Sequence, residues 1–190
     1  MSQLLHLDIP SEVFARGELV TQEGYLLTVE DRINIMQLPA EYEFAIGAQD
    51  IDAIAAYYTD DIIIDHPLGS AKGKASALDL ACSGKIPITG LRHQFSNQVV
   101  FIDKSGNPAC ISYMTVMQIA TETPSSVSLP TIFGHLVLLD VVQKVNGKWC
   151  FAKRIFDQLK VANHLGLDEA TRQQIAQTHA ERAASNGVPA

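Results

Sequence analysis

The stretch Gly90-Leu91-Arg92-His93-Gln94-Phe95-Ser96-Asn97, running on through Gln98-Val99-Val100-Phe101-Ile102-Asp103, decides how this chain is read. It has the pattern of a loop feeding a long strand. Alternate residues of a strand point to opposite faces. His93, Phe95, Asn97, Val99 and Phe101 are therefore expected to share one face. That face begins polar and turns apolar, as in a sheet wall with a titratable group at the mouth of a pocket. Imidazole is the side chain best suited to moving protons near neutral pH.

Working outward, four long strands are expected: His93 to Asp103, Ala109 to Glu122, Leu129 to Val145, and Lys148 to Gln158. Ser105-Gly106-Asn107 joins the first pair. Asn146-Gly147 joins the last pair and is a strong two-residue hairpin signal. Thr121 to Pro130 reads as a polar, proline-containing loop. Beyond Gln158, Asp168 caps an expected helix from Glu169 to Ala184. That helix is polar nearly all round, which suits an exposed element or a partner contact.

Upstream, Thr28 reads as the N-cap of a helix that continues through Gln49, with acids in its first turn. Ile33, Met36, Ala40, Phe44 and Gly47 recur at helical spacing and form one apolar stripe. Pro39 inside it is expected to kink or split the helix near Leu38. Asp50 caps a shorter helix, Ile51 to Tyr58, with Ile54 and Tyr57 or Tyr58 inward. Thr59-Asp60-Asp61 reads as a turn and Ile62 to His66 as a strand ended by Pro67. Ile62, Ile64 and His66 share one of its faces, Ile63 and Asp65 the other. Gly69 to Gly73 reads as a loop and Lys74 to Gly84 as a third helix. Segregated helices and strands argue an α+β class. Ser2 to Leu27, broken by Pro10, Gly17 and Gly24, is expected to be a peripheral extension.

The chain has 190 residues, enough for one domain with added segments. Fourteen basic and 21 acidic residues leave a formal charge of −7, and no Lys/Arg cluster falls on one element, so no nucleic acid partner is expected. The longest apolar run, Leu136 to Val142, is interrupted by Asp140 and falls far short of the roughly 20 residues of a membrane helix. No membrane partner is expected. Cys82, Cys110 and Cys150 are odd in number and widely spaced, against a disulfide framework. The start of the chain lacks the pattern of a signal peptide. A reducing cytoplasm is the expected compartment.

Several stretches in this order resemble the SnoaL-like family of the nuclear transport factor 2-like superfamily. They are Ala45-Ile46-Gly47-Ala48-Gln49-Asp50-Ile51-Asp52, Tyr58-Thr59-Asp60-Asp61-Ile62, Gly73-Lys74, Arg92-His93 with Asn97, and Asn146-Gly147-Lys148-Trp149. The resemblance implies a cone-shaped, curved mixed sheet wrapped around N-terminal helices, a cystatin-like α+β barrel spanning residues 28–158. Residues 1–27 and 159–190 would be extensions. The scytalone-dehydratase-like branch of the family places a histidine where this chain has His93. It places a tyrosine where this chain has His66, and an acid at the end of the first long helix, aligned with Gly47. The carboxylate of the usual carboxylate–histidine pair is thus missing from its family position. Such folds host many functions, so the chemistry rests on the site.

The candidate catalytic residues are His93 and His66. Tyr57, Tyr113, Asn97, Phe133, His135 and Asp140 are candidates for substrate binding. His135, expected to share a face with Phe133, Val137 and Leu139, is a core residue or lines the pocket. Asp140 pairs with Lys153 or Arg154 on the outer face, or points inward as a carboxylate with a raised pKa. No metal is expected, because His66, His93 and His135 come from separate strands without supporting carboxylates. Gly69-Ser70-Ala71-Lys72-Gly73-Lys74-Ala75 is one residue short of a phosphate loop and has Ala75 where Ser or Thr should stand.

Two functional readings follow. One is a lyase or isomerase needing no cofactor, moving a proton on a small hydrophobic, oxygenated ring compound such as a polyketide, steroid or terpenoid. His93 would shuttle the proton while His66, Tyr57 or Tyr113 orients the substrate oxygen. The other is a non-catalytic ligand carrier or oligomerisation module, favoured by the absent acid at Gly47. A homodimer through the outer sheet face, carrying Tyr113, Met117 and Val137, is expected in either case.

Overall fold

The computed structural model describes residues 10–67, 69–82, 90–119, 130–161, 169, 170, 173 and 177. Among the described residues from 10 to 161, three α-helices and six strands follow a 3-10 turn at Ser11–Phe14. They are α1 (Val29–Ala48), α2 (Ile51–Ala56), β1 (Tyr58–His66), β2 (Gly69–Lys72), α3 (Lys74–Cys82), β3 (Leu91–Ile102), β4 (Pro108–Gln118), β5 (Thr131–Val145) and β6 (Lys148–Val161). The strands form one mixed, curved sheet in the order β2-β1-β6-β5-β4-β3. β1 runs parallel to β6, and the other neighbours are antiparallel. The expected loop Thr121 to Pro130 lies outside the described residues except for Pro130, as does most of the expected C-terminal helix.

Local signals start α1 as expected. The Thr28 hydroxyl accepts from the Asp31 amide, and the Asp31 carboxylate accepts from the Thr28 amide, a reciprocal capping box. Asp31 is buried, and it also accepts from Tyr25 Oη at 2.6 Å, Lys144 Nζ at 2.8 Å and Trp149 Nε1 at 3.0 Å. These bonds tie the N-terminal segment and the helix start to the β5–β6 hairpin. At that hairpin Asn146 and Gly147 both have positive φ, 50° and 81°, as its two-residue turn requires.

Four expectations are corrected. α1 is continuous through Pro39. Its buried stripe is Ile35, Leu38, Tyr42, Ala45 and Ile46, while Ile33, Met36 and Phe44 of the expected stripe face outward. Apolar residues fall at helical spacing along both stripes, so spacing could not choose between the two. β1 begins at Tyr58 instead of Ile62, because pairing with Phe151 of β6 extends the strand over the expected turn. Gly69–Lys72 is a strand, since the backbone beyond Pro67 folds back to pair with β1.

The sheet has two apolar faces. One closes on the helices and holds the main core, including Tyr58, Ile62, Val100, Met114, Leu136, Leu138 and Phe151. The other carries a smaller cluster of Phe101, Ala109, Ile111 and Val137, against which Val13 packs. The ladder between β3 and β4 shifts register between Ser96 and Val99, where Asn97 has φ 52°. Such a bulge turns the following side chains over. Leu91 and Phe95 therefore pack with the main core, and so does Val100, whereas Phe101 joins the opposite cluster. The single shared face expected from His93 to Phe101 is broken at Asn97.

Candidate active site

His93 stands near the start of β3, on the helix-facing side with Leu91 and Phe95. Across from it runs the C-terminal half of α1. Glu43 is one helical turn before Gly47, so both residues lie on the same side of the helix. The Glu43 Oε2 atom lies 2.5 Å from His93 Nδ1, in a pair that is 13% and 21% exposed respectively. A carboxylate–histidine pair is therefore present. The family position at Gly47 is empty as expected, but a carboxylate reaches His93 from the preceding turn. The signal available in the sequence was an acid four residues before the vacant position.

The pair opens on a cleft of about 330 Å³ between the last turns of α1 and the start of β3. Ala40, Phe44 and Gly47 supply its helical wall, with Leu91 and Arg92 beside His93 on the strand. The outward stripe of α1 thus becomes a pocket wall at its C-terminal end. Phe44 is 81% exposed there. Arg92 donates from Nη1 to the Leu91 carbonyl at 2.7 Å. With Nδ1 engaged by Glu43, Nε2 is the His93 nitrogen left for a ligand.

Behind Glu43 lies a buried polar layer. The Tyr42 and Tyr58 hydroxyls form a short hydrogen bond. Burial pushes both phenols above their usual range, with Arg154 acting in the opposite direction. They are therefore protonated donors at neutral pH. The Arg154 guanidinium lies 4.5 Å from the Tyr42 ring centre and 4.0 Å from that of Phe151. Its Nε and Nη2 donate to the two oxygens of Asp140, at 2.8 and 3.3 Å. Burial raises the Asp140 carboxyl, and the permanently protonated Arg154 opposes that. Of the two expectations for Asp140, pairing on the outer face and an inward carboxylate with a raised pKa, the inward one is found. The partner is Arg154, and the pair is inside, because Asp140 shares its face with Leu136, Leu138 and Val142 of the main core.

The other candidates are dispersed. His66 stacks edge-on against Phe156 at 4.6 Å between ring centres, and it does not line the cleft that holds His93. Tyr57 packs edge-on against Tyr42, and burial raises its phenol. Asn97 is exposed in the bulge. Phe133 packs against the main core, whereas His135 is exposed on the opposite face, with its Nδ1 3.2 Å from Thr115 Oγ1. The β4–β5 register shift between Val116 and Met117 separates these two residues, which alternation alone would have placed otherwise. Tyr113 lies beside His135 on that same opposite face, away from His93. Among the described residues, no three His, Cys, Asp or Glu side chains converge as a metal site. No helix among them is long and apolar enough to cross a membrane.

The SnoaL-like domain family matches residues 27–155. Solved structures share the fold. A cystatin-like protein of unknown function from Nostoc punctiforme is 26% identical with a TM-score of 0.59, covering 75% of this chain and 98% of its own. Aln2 from Streptomyces is 17% identical with a TM-score of 0.58, over 70% of this chain and 93% of its own. A putative scytalone dehydratase from Novosphingobium aromaticivorans is 19% identical with a TM-score of 0.54, over 74% and 97%. No curated protein matches the chain.

Proposed function

This chain belongs to the SnoaL-like domain family, and from that premise we propose that it is a cofactor-independent lyase or isomerase moving a proton on a small, mostly apolar, oxygenated ring compound. The observation that carries the reading is the contact of Glu43 with His93 Nδ1 at 2.5 Å beside an apolar cleft. A carboxylate accepting from Nδ1–H leaves Nε2 as the basic nitrogen and stabilises the imidazolium that forms. Nε2 would take a proton from the carbon next to a substrate carbonyl. The electron pair moves onto the carbonyl oxygen as an enolate. Arg92, a cation on the same rim, would favour that charge. With a β,γ double bond in the substrate, the imidazolium returns the proton to the γ-carbon of the dienolate, which is isomerisation; with a β-hydroxyl, it protonates that group as the enolate collapses to a double bond and expels water, which is dehydration. The non-catalytic reading drew its support from the missing acid at Gly47, and Glu43 removes that support.

The test is hydrogen–deuterium exchange. Proton NMR in deuterium oxide follows the α-hydrogens of 2-tetralone and 1-indanone with and without the protein. His93→Gln keeps a hydrogen-bonding side chain but cannot shuttle a proton. It should slow the protein-dependent exchange by about a hundredfold to ten-thousandfold. Glu43→Gln should slow it too, with the fold unchanged by circular dichroism. A parent protein that exchanges neither ketone faster than buffer would overturn the reading. So would a His93→Gln variant as fast as the parent.

A further inference from the structure

Gly47 is a glycine that the backbone does not need. It lies in the last turn of the continuous helix α1, where its conformation is that of any helical residue. A Cβ built on it would meet nothing within 4 Å, so no neighbouring chain presses against it. Glycine is the poorest helix former after proline. A glycine that serves neither a turn nor a close approach weakens its helix without structural return. What Gly47 does border is the cleft shared by Glu43 and His93. Phe44, three residues earlier, holds an exposed ring on the same wall, and Ala40 continues that wall with a small side chain. Small-molecule sites span roughly 300–1,000 Å³. At about 330 Å³ this cleft is at the lower end, so one side chain can decide what enters.

We infer that Gly47 is the residue that sets ligand size in this pocket, leaving room for a flat, fused-ring compound laid along the last turns of α1 with its oxygen toward His93. The inference rests on the proposal that the His93 cleft is the ligand site. The bare helix surface at Gly47 receives one face of the ring system, and the Phe44 ring borders it. A single-ring compound would reach His93 without covering Gly47. A side chain at position 47 would then exclude the larger ligand and leave the smaller one almost unaffected.

The experiment compares the parent with Gly47→Ala and Gly47→Leu. Isothermal titration calorimetry measures binding of 2-naphthol, with two fused rings, and of phenol, with one. Thermal unfolding is recorded alongside. Alanine and leucine favour helix over glycine, so both variants should unfold at the parent temperature or up to about 2–4 °C above it. The affinity for 2-naphthol should fall in the order parent, Gly47→Ala, Gly47→Leu, by at least tenfold in the last, while that for phenol changes less than twofold. The inference is overturned if Gly47→Leu binds 2-naphthol within twofold of the parent. It is also overturned if the parent binds neither compound, or if both affinities fall together. The exchange assay separates this from the proton-transfer reading. Exchange that depends on His93 but binding indifferent to position 47 would sink the size role alone. Size-ordered binding without exchange would sink the catalytic proposal alone.

Discussion

Removing one partner of the Asp140–Arg154 pair should destabilise the fold far more than removing both. Each side chain is 1% exposed, and the two face each other across β5 and β6. Asp140→Leu strands a guanidinium that cannot release its proton. Breaking a buried pair from one side costs about 3–5 kcal/mol. The rings of Tyr42, Phe151 and Phe156 remain around Arg154, at 4.5, 4.0 and 5.4 Å, and partly offset the loss. The lower end of the range is therefore expected. At a urea slope of about 2 kcal/mol/M, a loss of about 3 kcal/mol moves the midpoint by about 1.5 M. Asp140→Leu with Arg154→Met leaves no charge behind and should return to within about 1 kcal/mol of the parent, or exceed it. The coupling between the two sites should then be at least about 2 kcal/mol, above the usual range for non-contacting residues. The assay is equilibrium urea unfolding followed by circular dichroism, with Trp149 fluorescence as a second probe. A stability for Asp140→Leu within about 0.5 kcal/mol of the parent's would refute the reasoning. A double variant as unstable as Asp140→Leu would refute it equally.

Asp31 should govern acid stability: burial alone would raise its carboxyl, but bonds from Lys144, Tyr25 and Thr28 outweigh that and hold it well below its usual value of 3.8. The unfolded chain then takes the proton first, so this contribution is complete above the usual carboxylate range and is lost as pH falls below it. Lys144→Met should move the acid-unfolding midpoint, read by circular dichroism, to higher pH, and an unmoved midpoint would contradict this. Gly106→Ala should cost about 1–3 kcal/mol, because its φ is +78° and the added Cβ would lie 2.5 Å from Gln22 Cβ. Gly24→Ala, at φ +81° with nothing within 4 Å, has the conformational strain without the clash and should cost less in the same urea assay.

At the helix caps and the tight hairpin turn, the sequence was sufficient. The Thr28 cap of α1, the Asp50 cap of α2 and the Asn146-Gly147 turn are decided by side chains within a few residues, and each is found where it was expected. The α+β class follows from the order of such elements, and the curved mixed sheet was implied by the resemblance to the SnoaL-like family. His93 as a pocket residue was readable from its place at the polar end of a strand.

The candidate site was decided by tertiary structure. The Glu43–His93 contact joins residues 50 apart, and the one-turn spacing of Glu43 before Gly47 becomes informative only once β3 is packed against that side of α1. Strand alternation failed at Asn97 and near Phe133 because a bulge of one residue inverts every side chain beyond it, and a bulge is chosen by the partner strand. Helical spacing failed on α1 because two stripes were apolar. The sheet selected the one bearing Tyr42, which packs against Tyr58, Phe151 and Arg154. Asp140 could be given two candidate partners from sequence, Lys153 and Arg154, but not a side. Only the packed core, by excluding water from both charges, determined that the pair lies inside. Caps and turns depend on a few neighbouring residues, so the sequence carries them directly. A face, a partner or a depth depends on which distant surface the chain packs against, and that is settled only when the whole fold closes.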